Sequence, residues 1–155
     1  MVPGLPAVSP GAGNRRVLIV DDEADIRTTL RAAFGAAGYE CRMAGNGREA
    51  VRLFEADRAP LTITDLKMPV MDGLQLLQHV KARDADAAVI MLTGAADVRT
   101  AVESLKQGAS DFILKPVNLD QVLLAAERAL ERRQRTRGRP DQRWFRPLGG
   151  TMGPA

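Results

Sequence analysis

The stretch Leu61-Thr62-Ile63-Thr64-Asp65-Leu66-Lys67-Met68-Pro69 constrains this chain more than any other. Its apolar, β-branched start suits a short pleated strand enclosed by other structure. Pro69 cannot extend a sheet ladder and turns Met68 away from helical backbone, so the strand stops at the carboxylate of Asp65. A carboxylate at the carboxyl end of a central strand lies where open α/β sheets place their chemistry. Taken alone, a strand-end aspartate is more often a loop cap than a reactive group, so the reading depends on its partners.

The same pattern recurs along the chain. Val17-Leu18-Ile19-Val20 is a continuous apolar run, suited to a strand buried on both faces, and it ends on Asp21-Asp22-Glu23. Glu40 to Ala44 reads as a short second strand. Ala87 to Leu92 reads as a fourth, ending in Thr93-Gly94, and Asp111 to Leu114 as a fifth, ending on Lys115-Pro116. Helical spacings fill the gaps. Ile26, Leu30, Phe34 and Ala37 mark a helix that Gly38 closes. Asn46 and Glu49 resemble a capping box ahead of Ala50, Val51 and Phe54. After a turn at Met71-Asp72-Gly73 come Leu74, Leu77 and Val80; then Val98, Ala101, Val102 and Leu105, stopped by Gly108. Asn118 with Gln121 caps a last helix through Val122, Leu123, Ala126 and Leu130. Strands alternating with helices predict an α/β fold of five βα units around a doubly wound parallel sheet.

The 155 residues make one ordinary domain. Residues 1–14, rich in Pro, Gly and Ala, read as a disordered lead, residues 15–133 as the folded domain, and residues 134–155 as a flexible Arg/Gly/Pro-rich tail with no effector domain. The sequence pI of about 9.5 is misleading. Residues 132–146 hold seven arginines against Asp141 alone, a net of +6, which leaves −3 for the rest of a chain whose total is +3. The body is therefore mildly acidic, and composition gives it no nucleic-acid footprint. The single cysteine, Cys41, excludes an internal disulfide framework and a cysteine-based zinc site, and it reads as a small core or strand residue. No apolar run approaches the roughly 18 residues a membrane span requires, and the start lacks a signal pattern, so the cytoplasm is the expected location. His79, the only histidine, reads as a surface residue of the third helix.

In a parallel sheet all strand ends face one way, which gathers Asp21, Asp22, Asp65, Thr93 and Lys115 at one lip. Three carboxylates at one spot repel unless a cation joins them, so a divalent metal is implied. An all-oxygen, incomplete protein shell suits magnesium shared with a phosphate. A lysine and a threonine hydroxyl opposite it suit the oxygens of an anion. The chemistry read from the residues is transfer of a phosphoryl group to a carboxylate, with Asp65 as nucleophile.

Four segments, Val17 through Glu23, Asp65-Leu66-Lys67-Met68-Pro69 with Met71-Asp72-Gly73, Thr93-Gly94 and Lys115-Pro116, together resemble the receiver domain of two-component response regulators. The resemblance covers roughly residues 15–133 in order and spacing. It implies a flavodoxin-like (βα)5 sheet of strand order 2-1-3-4-5, an order the general rules for this class already attach to receivers. It also implies that Asp65 accepts phosphate from the phosphohistidine of a sensor histidine kinase or phosphotransfer protein. By the same resemblance Asp22 binds Mg²⁺ directly and Asp21 through water, with Asp65 and the backbone carbonyl of Lys67 completing the set. Lys115 pairs with the phosphoryl group, Thr93 moves to hydrogen-bond it, Phe112 is the switch aromatic, and the Lys115–Pro116 bond is cis. Such a chain is no turnover enzyme; it catalyses only its own phosphorylation and dephosphorylation.

Two other classes fit less well. A flavin carrier of this fold needs a phosphate loop where Asp21-Asp22-Glu23 stand. A dehalogenase-like phosphatase needs a second aspartate where Lys67 stands. For output, the first expectation is a stand-alone receiver that controls an unknown downstream protein, or pairs with itself, through the face made by the fourth helix, fifth strand and fifth helix. The alternatives are a basic tail that binds nucleic acid or an acidic surface, ranked second, and a receiver fragment of a longer regulator.

Overall fold

The computed structural model describes residues 15–137. Its elements alternate as expected: β1 (Arg16–Val20), α1 (Ala24–Ala36), β2 (Glu40–Ala44), α2 (Gly47–Ala56), β3 (Leu61–Asp65), α3 (Gly73–Arg83), β4 (Ala88–Thr93), α4 (Val98–Lys106), β5 (Asp111–Leu114) and α5 (Leu119–Arg137). The strands form one parallel sheet in the order β2-β1-β3-β4-β5. This is the predicted order 2-1-3-4-5.

Alternation along the strands divides the core in two. Val17, Ile19, Leu61, Ile63 and Ile90 point to one face, where α1 brings Leu30 and Phe34 and α5 brings Val122, Ala126 and Leu130. Leu18, Val20, Val89 and Met91 point to the other, where α2 brings Ala50 and Phe54, α3 brings Leu76, Leu77 and Val80, and α4 brings Ala101. Enclosing one such Leu, Ile or Phe side chain stabilises the fold by roughly 2 kcal/mol. Covered on both faces, β1 and β4 are near-continuous apolar runs, while β3 alternates Leu61 and Ile63 with the buried threonines Thr62 and Thr64.

Helix ends follow local chemistry. Gly38 takes the left-handed backbone at φ +92° after α1, as its position predicts. Asn46 caps α2 by accepting from the Glu49 amide at 2.8 Å, but Glu49 returns its carboxylate to the Gly45 amide at 2.9 Å, one residue before the usual partner. Asn118 accepts from the Gln121 amide at 3.0 Å at the start of α5. The expected turn at Met71-Asp72-Gly73 is a helix start: Asp72 is the N-cap of α3 in a full capping box with Gln75.

Two expectations change. The stripe Val98, Ala101, Val102 and Leu105 is not the buried face of α4. Ala101 and Ser104 are buried, while Val102 and Leu105 stay 43% and 39% exposed. Small residues let α4 approach the sheet closely, and the larger ones are left outside. The last helix runs to Arg137, past the expected edge at 133. The expected lead (1–14) and most of the expected tail (134–155) lie outside the described residues. No helix among the described residues is long and apolar enough to cross a membrane.

Candidate functional site

The register brings the strand ends level: Val20 pairs with Thr64, Asp65 with Leu92 and Thr93 with Leu114. The residue following β1, Asp21, therefore lies beside the end of β3. Carboxylate oxygens of Asp21, Asp22 and Asp65 fall within 4.8 Å of one another, with Asp21 and Asp65 buried and Asp22 exposed. Lys115, just beyond β5, puts Nζ 3.3 Å from Asp21 Oδ2 and 3.3 Å from Asp65 Oδ2. Lys115 is held there by its backbone, whose amide donates to the Thr93 carbonyl at 2.7 Å, and the Lys115–Pro116 bond is cis as expected.

The loop after Asp65 is fitted closely to the strand. The Leu66 amide donates to Leu92 O at 2.8 Å, and the Gly73 amide to Leu66 O at 2.9 Å. A Cβ on Gly73 would lie 2.5 Å from the Asp65 carbonyl oxygen, so only glycine lets α3 start against the end of β3. Val70, 78% exposed at the outer bend of this loop, adopts φ +71°, an uncommon conformation for a β-branched residue.

Burial raises the pKa of Asp65 to about 6, and the neighbouring Asp21 charge adds to the rise, against the opposing pull of Lys115 and the Lys67 amide. Burial also pushes Asp21 upward, opposed by the Glu23 amide and Lys115. For Lys115, burial disfavours the charge, yet Asp21 and Asp65 together hold its ammonium above its ordinary value. The cluster is therefore short of positive charge. Asp21 Oδ2 is buried with no hydrogen bond; the Lys115 ammonium faces it as an ion pair without hydrogen-bond geometry. Three converging carboxylates, a buried oxygen of Asp21 faced by an ammonium that it shares with Asp65, and oxygen-only donors fit a hard divalent cation such as Mg²⁺.

The other expected residues are placed as follows. Thr93 is buried at the end of β4, its hydroxyl donating to Gly94 O at 3.1 Å. Phe112 is half-buried in β5 against the α2–α3–α4 face of the core. The Lys67 side chain leaves the cluster: it is 72% exposed and reaches Asp97, in the turn before α4, at 3.7 Å. His79 lies at the surface as expected, with Nε2 2.7 Å from Glu55 of α2, which Arg83 also binds at 2.8 Å. Cys41 is a free, half-buried residue of β2.

Sequence reasoning did not single out Arg27, whose Nη1 donates to the Asp21 carbonyl at 2.7 Å. A lone arginine on a helix carries no signal of such a contact. The Lys67–Asp97 pair was equally hidden, because it joins two loops whose approach is set by the fold.

The family model for the response regulator receiver domain matches residues 17–127. The regulatory protein AtoC of Escherichia coli K12 is 41% identical over 116 residues, which is 75% of this chain and 25% of AtoC. The DNA-binding transcriptional regulator NtrC of the same strain is 36% identical over 118 residues, 76% of this chain and 25% of NtrC. The chain thus spans about a quarter of the length of these two curated relatives. Among solved structures, the receiver domain of NtrX from Brucella abortus superposes with a TM-score of 0.71 at 36% identity, covering 74% of this chain and 98% of that one.

Proposed function

The chain belongs to the response regulator receiver family, and from that premise we propose that Asp65 is the phosphoryl acceptor of a two-component relay. A carboxylate oxygen of Asp65 attacks the phosphorus of a phosphohistidine on a sensor kinase or phosphotransfer protein. The P–N bond breaks, the imidazole leaves and takes a proton, and an acyl phosphate forms on Asp65. Lys115, already 3.3 Å from Asp65, shifts its ammonium to the phosphoryl oxygens. Thr93 exchanges its bond to Gly94 for one to the same oxygens, and Phe112 follows by turning inward. Asp21, Asp22, Asp65 and the Lys67 carbonyl are the groups to hold Mg²⁺, which when bound neutralises the charge gathered on the transferring phosphoryl. The compartment this reading assigns is the cytoplasm.

The observation that carries the reading is the convergence of three carboxylates at the carboxyl edge of the sheet, with a lysine against two of them, Asp21 and Asp65. Intact-mass spectrometry after incubation with phosphoramidate and Mg²⁺ tests it. One phosphate adduct is expected on the wild type, absent without Mg²⁺ and absent in Asp65→Asn. An adduct that survives Asp65→Asn would move the acceptor elsewhere.

For output we propose the face of α4, β5 and α5, where Val102, Leu105, Leu114 and Leu124 are exposed apolar side chains. A downstream protein or a second copy of the chain is the occupant this reading assigns. A second reading, the receiver portion of a longer regulator, is favoured by the quarter-length match to AtoC and NtrC.

A further inference from the structure

We infer that Arg27 is a positioning residue for the acidic site: its guanidinium fixes the peptide joining Asp21 to Asp22 and so sets the direction of the Asp22 carboxylate. This rests on the phosphoacceptor reading above. Arg27 lies half-buried in the first turn of α1. Its Nη1 takes the Asp21 carbonyl at 2.7 Å, just past the last paired residue of β1. The rest of Asp21 is already pinned, its amide donating to Ala44 O at 3.2 Å and its Oδ1 accepting from the Glu23 amide at 2.9 Å. The carbonyl is thus the point at which this peptide plane is still able to rotate. Rotation there swings the Asp22 Cα–Cβ bond away from Asp65. Because Asp22 is exposed, its aim follows its backbone.

Gly45 supplies a second, independent observation. A Cβ at Gly45 would stand 3.3 Å from Arg27 Nη1 and 3.7 Å from Cζ, so the guanidinium rests against the turn that leaves β2. The Gly45 amide is in turn held by Glu49 of α2 at 2.9 Å. Arg27 therefore joins α1 to the end of β1 and packs against the turn after β2, which Glu49 in turn ties to α2. Its contact is to a backbone carbonyl, so its part is to orient the Asp22 carboxylate and not to neutralise it.

Calorimetric titration with Mg²⁺ alone, on the full chain, tests the assignment beside thermal melts of the metal-free proteins. Arg27→Met is expected to weaken Mg²⁺ binding about 10-fold, the low end of the loss when an orienting partner is removed. Arg27→Lys, still able to donate to the carbonyl, is expected to recover most of that loss. Gly45→Ala, which crowds Nη1 and touches no ligand, is expected to lower affinity in the same direction by less. Wild-type affinity in both Arg27→Met and Gly45→Ala would overturn the inference. So would equal losses in Arg27→Met and Arg27→Lys that follow a matching fall in melting temperature, which would make Arg27 a residue of the fold alone. A wild type that binds no Mg²⁺ would fell the phosphoacceptor reading and this inference with it, an outcome distinct from the other two.

Discussion

Toward the amino ends of the strands, charged groups find partners. Asp57 pairs with Arg16 of β1 and with Arg42 of β2 at 3.6 Å, and Lys81 gives its ammonium to the Ala85 and Ala87 carbonyls at 2.7 and 2.9 Å. At the carboxyl ends three carboxylates converge, and Lys115 reaches two of them. One end is finished chemistry; the other is held in a state that a metal and a phosphoryl group would complete. The sheet is the same throughout, so the difference lies in which side chains terminate the strands. Charged groups are satisfied at one edge and left short of positive charge at the other.

Changes at the reactive edge should dominate. Asp65→Asn is expected to abolish phosphoryl uptake, and it should also stabilise the metal-free protein at pH 7. The carboxyl of Asp65 titrates near 6 in the folded chain against 3.8 as its ordinary value. A raised value means stability is greatest below pH 4 and is lost as pH rises through about 6. The rise already contains the opposing pull of Lys115, so the loss removed by the substitution is on the order of 3 kcal/mol, several degrees in melting temperature. Melts of wild type and Asp65→Asn at pH 7 and pH 4, without metal, should therefore converge at the lower pH. Parallel curves would break the contrast.

Gly73→Ala comes next. Its Cβ would meet the Asp65 carbonyl at 2.5 Å, backbone that cannot turn aside, so a loss of about 2–3 kcal/mol in denaturant unfolding is expected. Lys115→Met leaves Asp21 and Asp65 facing each other, and at pH 7 without metal should cost about 2 kcal/mol. That cost should shrink as acid protonates Asp65. At the opposite edge, Asp57→Asn loses only half-exposed ion pairs and should change stability by less than about 1 kcal/mol, with phosphoryl uptake unaltered. A large effect there would mean that the two edges are coupled.

Much of this could be read in the chain because strands buried on both faces are built through their middles from apolar and small uncharged side chains. Val17–Val20 and Leu61–Ile63 announce themselves, and the polar residues that follow mark the edge. That Asp21, Asp22, Asp65 and Lys115 gather at one edge was legible for that reason. The face of α4 was not. Val102 and Leu105 look like core because they are large and apolar, yet close approach to the sheet selects Ala101 and Ser104, and size works against burial there. Arg27 and the Lys67–Asp97 pair were illegible for another reason. Long side chains bridging separate loops depend on the positions of whole elements, which no local pattern encodes.

The most direct test of the central claim is to locate the phosphoryl group by reduction. Borohydride converts an aspartyl phosphate to homoserine and leaves free carboxylates untouched. After phosphoramidate and Mg²⁺, peptide mass spectrometry should find homoserine at position 65 and nowhere else. Homoserine at Asp21 or Asp22, or an unaltered peptide from a protein that carries phosphate, would contradict the assignment of Asp65 as the acceptor.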